Sequence, residues 1–324
     1  MRRPYRIAVA GIGGVGGYLG GKLAAHYQYS ESVHVSFICR GEQALAIRER
    51  GLLLWTEGEM LRCVPHDLVS DPGTLAPLDL LILCTKTFDT HALLRACAHA
   101  ISSETVVLTT QNAVEFKAAL APLIRREATI FEGAMYIAAG KVEPGVVRHL
   151  SGPAQYYFGT NGGDTERGGA ISLLLSKAGI KAEFTEKIRS VLWQKFLFLS
   201  PAAVVTGLKG ICIPEILQTV ESKALYTSLF LEIRQIVEQK GVDLQGVTLQ
   251  KQLELLGRFA EGVKTSFQTD LERNNKSEVG TLVGDVLAAA ADLGLSVPNY
   301  TQALKSLRKK YPLILNNQHS KKAT

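Results

Sequence analysis

The chain has 324 residues, 46% apolar and 20% charged, which suits two globular domains of unequal size and excludes a disordered or fibrous protein. Its net charge of +6 is scattered, apart from a short basic tail at Lys309, Lys310, Lys321 and Lys322. A nucleic-acid surface is therefore not expected, and the positive field reads as attraction for an anionic cofactor or substrate. Five cysteines (Cys39, Cys63, Cys84, Cys97 and Cys212) without CxxC spacing predict neither a metal site nor a disulfide framework, and suit a reducing, cytoplasmic setting.

At the N-terminus, Arg2 and Arg3 precede an apolar run from Ile7 and so imitate a signal peptide. Glycines crowd that run and Lys22 interrupts it, and the GxGxxG pattern of residues 11–16 explains it better than a leader does. No uninterrupted apolar stretch of 18 residues is found, and neither a membrane span nor a membrane partner is expected. Residues 6–10 form a short apolar run suited to a buried parallel strand, followed by a helix over 15–29. A second strand follows at 33–39, then a helix over 42–50 closed by Gly51. Strand 78–85, helix 90–100 and strand 105–110 continue the alternation of a doubly wound parallel sheet.

From 128 to 158 the pattern changes to three strand-like segments, with turns at Gly140, Pro144 and Gly152 adding antiparallel strands at the sheet's edge. A helix over 165–178 and a strand over 180–185 complete this part. Helical periodicity then takes over, with helices at 187–206, 214–240, 249–257, 277–293 and 299–309, and a frayed tail from Asn316. Pro214 suits a first helical position, and Gly241 and Gly294 suit positions just past helix ends. The fold class expected is α/β: an N-terminal Rossmann-type doubly wound sheet over 1–186, then an all-helical domain over 187–324.

Gly11-Ile12-Gly13-Gly14-Val15-Gly16 carries GxGxxG between the first strand and the first helix. Gly11 permits the tight turn, Gly13 lets the backbone approach a pyrophosphate, and Gly16 lets helix and strand pack closely. Backbone N–H groups and the helix dipole then favour the phosphate's charge. A typical NAD site carries an acid at the end of the second strand, where this chain has Arg40. Arg40 is either a fork for a 2′-phosphate, which favours NADP(H), or a solvated loop arginine. His91, Cys97 and His99 share a predicted helix without i, i+4 metal spacing. No GxSxG, HExxH or GK[ST] motif competes.

In order and spacing, GIGGVG (11–16), Arg40, CTKT (84–87), QNA (111–113), WQKF (193–196) and SFQTDLERNNKSE (266–278) resemble the ketopantoate reductase family over nearly the whole chain. The resemblance implies reduction of a 2-oxo acid by NADP(H), with ketopantoate to pantoate, a step of pantothenate biosynthesis, as the leading pair. It implies that Lys86 and Asn112 lie near cofactor and substrate, although Asn112-Ala113 stands where Asn-Gly is common. It makes Lys195, set among Trp193, Phe196 and Phe198, the donor of a proton to the substrate carbonyl; partial desolvation would ease that transfer. From the residues alone, Lys195 reads as a snorkelling helix lysine and Lys86 as a surface loop lysine. The resemblance further implies that Ser266 binds the substrate carboxylate, while Glu278 accepts from its hydroxyl or holds Lys195.

Ser266 and Glu278 lie twelve residues apart, roughly 18 Å on an unbroken helix, so a break at Arg273-Asn274-Asn275-Lys276 is expected between them. Asp270 also matches a family acid and is expected to be structural. Where the family carries substrate-contacting asparagines, this chain has Leu199 and Ala203, one and two turns after Lys195, which points to a less polar substrate side chain. Two alternatives stand beside this reading: another two-domain NADP-dependent dehydrogenase, and a non-catalytic NADPH-binding regulator. A homodimer is a further expectation.

Overall fold

The computed structural model describes residues 3–124 and 128–315. Arg2, Lys321, Lys322 and the tail from Asn316 lie outside the described residues. Contacts gather the chain into two compact units. One runs to Gln111 and takes in Glu115–Arg189; the other takes Asn112–Val114 and the chain from Ser190.

In the first unit the elements are β1 (Tyr5–Ala10), α1 (Gly14–Tyr27), β2 (Val33–Ile38), α2 (Gly41–Arg50), β3 (Leu52–Thr56), β4 (Glu59–Cys63) and β5 (Asp67–Val69). Then come β6 (Leu80–Leu83), α3 (Thr87–Cys97), β7 (Val106–Thr109), α4 (Lys117–Leu120), β8 (Thr129–Glu143), β9 (Val146–Gly159), α5 (Thr165–Lys177) and β10 (Lys181–Thr185). Strands β5-β2-β1-β6-β7-β8 lie side by side and all parallel. The chain reverses direction across the sheet between β1 and β6, the place where such folds bind ligands. Apolar runs rather than alternation encode the central strands because both faces are covered. Ile7, Val9, Leu80, Ile82 and Leu108 pack on one side with Leu19 and Leu23 of α1. Ala8, Ala10, Leu81, Leu83 and Val107 pack on the other with Leu94 of α3 and Leu120 of α4.

Three expectations change here. Residues 129–159 form two long strands, not three segments. Both Gly140 and Gly152 lie inside them: Gly140 pairs in regular register with Arg148, Gly152 (φ +90°) falls where the register shifts and marks a bulge, and the single turn is at Pro144-Gly145. These strands are not the sheet's edge, because β3 pairs with β9 and β4 pairs with β3. The β3–β4 hairpin was not anticipated; it turns at Glu57-Gly58, both at positive φ (55° and 84°), as a two-residue hairpin loop requires.

The second unit holds α6 (Ile188–Lys209, its first two residues counted with the first unit), α7 (Val220–Gln239), α8 (Leu249–Gly257), α9 (Ser266–Glu272), α10 (Asp285–Asp292), α11 (Pro298–Lys310) and α12 (Pro312–Leu315). Leu197, Val204 and Val205 of α6, Phe230 and Ile233 of α7, and Val283, Tyr300 and Leu307 are fully buried in one core. The helix expected over 214–240 is broken: a short 3-10 turn ends at Leu217, and Thr219 caps a new helix by accepting from Ser222 N. The helix expected from 277 begins instead with a π-helical turn, Gly280–Gly284. Helix α6 is long and apolar enough to span, at hydropathy 1.4, but 67% of that stretch is buried inside the protein. A helix apolar on all sides is what a core helix needs.

Candidate active site

Four backbone positions shape the turn after β1. Gly11 has φ +88°, and a Cβ there would lie 2.8 Å from Thr85 N. A Cβ at Gly16 would lie 2.1 Å from Gly11 O, and one at Gly14 would lie 2.1 Å from Ala139 O. Side chains are thus excluded at these three positions. At Gly13 a Cβ would meet no protein atom within 4 Å, so that side of the turn is open. Ile12 is buried and Val15 packs partly on the core, which anchors the turn between its glycines. The first N–H groups of α1 have no acceptor within the helix and carry its positive dipole end. An open glycine cradle at a helix start, beside the β1/β6 reversal, fits a dinucleotide pyrophosphate.

Arg40 is exposed in an extended conformation just before α2, and makes no ion pair or hydrogen bond among the described residues. Lys86 is half-buried immediately before α3, and its carbonyl accepts from Asp89 N at 3.0 Å and Thr90 Oγ1 at 3.2 Å. Behind it lies a polar network that the sequence reading missed. Thr85 and Thr90 hydroxyls are 3.2 Å apart, and Gln111 Nε2 donates to Thr90 Oγ1 at 3.3 Å. The CTKT and QNA segments are therefore fastened together. Cys97 is fully buried and His99 bonds Leu75 O through Nε2, so both pack rather than ligate.

In the second unit, Lys195 sits early in α6 between the buried rings of Trp193 and Phe196. Its Nζ donates to Asn112 Oδ1 at 2.8 Å. Asn112 reaches it because residues 112–114 cluster with the helices rather than with the sheet. Burial pushes Lys195 down to about 8, and the charge of Glu278 acts in the opposite direction. Glu278 is itself buried, at 6% exposure. The chain does break before it: α9 ends at Glu272, Asn274 takes φ +55°, and Glu278 directly precedes the next helical segment. An amine with a depressed pKa, held by an amide and faced by a carboxylate, is suited to giving and taking a proton near neutrality.

Other predicted residues are placed differently. Ser266 is exposed at the start of α9, and no hydrogen bond joins it to Lys195, Asn112 or Glu278 among the described residues. Ala203 is sealed in the core at 0% exposure, while Leu199 remains half-buried. Of the two apolar replacements on α6, only Leu199 therefore keeps surface to offer a ligand. The sequence reading also missed a buried clasp: Ser200 Oγ donates to Leu282 O at 2.7 Å and lies 2.6 Å from Tyr300 Oη. It joins α6, next to Pro201, to the π-turn that follows Glu278, and irregular turns of this kind recur at functional sites.

Residues 7–163 match the family model described as Ketopantoate reductase PanE/ApbA, and residues 187–311 match the model of its C-terminal part. The chain is similar to the 2-dehydropantoate 2-reductase of Halobacterium salinarum, 25% identical over 90% of this chain and 94% of that one. The crystal structure of 2-dehydropantoate 2-reductase from Porphyromonas gingivalis W83 superposes with TM-score 0.80 at 26% identity, covering 94% of this chain and 99% of that one. A D-mandelate dehydrogenase bound to NADH and anilino(oxo)acetate shares the fold, with TM-score 0.82 at 19% identity over 95% of this chain and 99% of that one.

Proposed function

The chain belongs to the ketopantoate reductase family of oxidoreductases, and on that footing we propose that it reduces a small 2-oxo acid to the 2-hydroxy acid with NADPH, ketopantoate being the first candidate. The observation that carries this is the grouping of Lys195, Asn112 and Glu278, with the amine brought to about 8.

Bound NADPH supplies the hydride that reduces the carbonyl carbon. The backbone of Gly11–Gly16 would hold its pyrophosphate, and Arg40 its 2′-phosphate. Lys195 holds the proton at Nζ and passes it to the carbonyl oxygen as negative charge develops there. With a pKa of about 8, roughly nine-tenths of Lys195 is protonated at pH 7, so donor and reprotonation are both accessible. Asn112 orients the ammonium through its 2.8 Å bond, and Glu278 stabilises the protonated form. Lys86 and Ser266 enter as anion-binding groups for the substrate through the family resemblance. A cytoplasmic location accompanies this reading, supported by five free cysteines, three of them buried.

Leu199 favours a second reading of the substrate with the same chemistry: a 2-oxo acid whose side chain is apolar rather than hydroxylated. The test is NADPH consumption by the purified protein with ketopantoate, unhydroxylated branched 2-oxo acids and aryl 2-oxo acids. Turnover of ketopantoate supports the first reading, and a preference for the apolar acids supports the second. Tight NADPH binding with no turnover of any 2-oxo acid refutes both and leaves a non-catalytic dinucleotide-binding protein.

A further inference from the structure

Gln43 lies on α2 and is buried, at 8% exposure, although nothing in the chemistry above requires an amide there. Its Nε2 donates to Ile12 O at 2.9 Å, and its Oε1 accepts from Gly145 N at 2.9 Å. Ile12 is the second residue of the glycine turn. Gly145, at φ +77°, belongs to the two-residue link between β8 and β9. One side chain therefore clamps two backbone segments that are far apart in sequence.

The same hairpin presses on the turn elsewhere. A Cβ at Gly14 would lie 2.1 Å from Ala139 O on β8, and one at Gly17 would lie 2.5 Å from Val147 Cγ2 on β9. Arg50, also on α2, donates to Pro144 O at 2.7 Å, so the link is held from α2 at two points. The Ile12–Gly13 peptide is thereby locked at both ends: its carbonyl by Gln43, its N–H by Gly11 O at 2.9 Å. That lock matters because Gly13, on one side of the peptide, rotates with little steric cost. Turned over, the carbonyl dipole would face the site with its negative end and repel a phosphate.

We propose that Gln43 is a positioning residue for dinucleotide binding, holding the Ile12 carbonyl away from the pyrophosphate through a clamp anchored on the β8–β9 link. The inference rests on the cofactor reading above. Two variants test it: Gln43→Met, which keeps the length but makes neither bond, and Gln43→Glu, which can accept from Gly145 N but cannot donate to Ile12 O. Dissociation constants for NADPH and NADH are measured by titration calorimetry, and the melting temperature is measured without ligand. Because the pyrophosphate is common to both dinucleotides, each variant is expected to weaken both by the same factor, about 3- to 10-fold, the scale of one hydrogen bond. Gln43→Glu should be affected at least as much as Gln43→Met. A lower melting temperature with unchanged dissociation constants would reduce Gln43 to a structural residue and overturn the proposal. So would a loss confined to NADPH, which would implicate Arg40 rather than the turn. A wild-type protein that binds neither dinucleotide would instead overturn the cofactor reading, and this inference with it.

Discussion

Replacing Glu278 with glutamine removes the charge that raises Lys195 while leaving the burial that lowers it. A carboxylate close to an amine moves its pKa by about 1–3 units, so the lower end predicts a fall of roughly one unit from the wild-type value. Reduction requires the ammonium form, so kcat/KM should decline as pH rises through about 8 in the wild type. In Glu278→Gln that limb should move to lower pH. The protonated fraction at pH 8 would drop from roughly one-half to one-eleventh, about a fivefold loss, against about twofold at pH 7. The reverse oxidation needs the neutral amine, so its rate should rise with pH through the same value, and earlier in the variant. The assay is kcat/KM against pH in both directions, with the best 2-oxo acid and its hydroxy acid. Lys195→Ala sets the baseline: turnover should fall by about 10²–10⁴-fold and the limb should vanish. Lys195→Arg should not restore it, because a guanidinium is too weak an acid to release its proton. Superimposable limbs for wild type and Glu278→Gln would refute the pairing. A folded Lys195→Ala with near-normal turnover would remove Lys195 from the mechanism and leave Lys86 as the next candidate.

Three further outcomes follow from other contacts. Arg40→Ala should weaken NADPH by on the order of 10- to 100-fold and leave NADH nearly unchanged; equal affinities in the wild type would contradict the role given to Arg40. Leu199→Asn should improve ketopantoate relative to an unhydroxylated 2-oxo acid by about 2- to 10-fold, one hydrogen bond's worth, and an unchanged ratio would mean that Leu199 does not meet substrate. Ser200→Ala should leave Leu282 O and the Tyr300 hydroxyl buried without their shared partner. Chemical denaturation should then show a loss of about 1–3 kcal/mol, and a loss near zero would mean that this clasp carries little of the unit's stability.

Much of the first unit could be read along the chain because its signals are local. A short apolar run such as Leu80–Leu83, too brief for a helix and following Pro77, reads as a doubly covered strand, and the glycines of 11–16 follow a strand and open a helix. The break between Ser266 and Glu278 was visible in four polar residues. Harder to see were elements whose signal is conditional. Glu57-Gly58 is a weaker hairpin mark than Asn-Gly, and Gly140 and Gly152 look like turns until pairing with a long partner makes the first an ordinary strand residue and the second a bulge.

The sequence alone determined the alternation of strand and helix around the central sheet, the glycine turn at its first helix and, through family resemblance, the residues Lys195, Asn112 and Glu278. Only the tertiary structure decided that these three meet. Lys195 and Asn112 are 83 residues apart, and residues 112–114 leave the sheet unit to join the helices. It also decided that Ala203 is core while Leu199 is not, and that Gln43 bonds both Ile12 and Gly145. Periodicity tells which face of an element is apolar, but not what that face is packed against. Desolvation of an ammonium and satisfaction of a buried amide depend on those neighbours, so both appear only once the chain has folded.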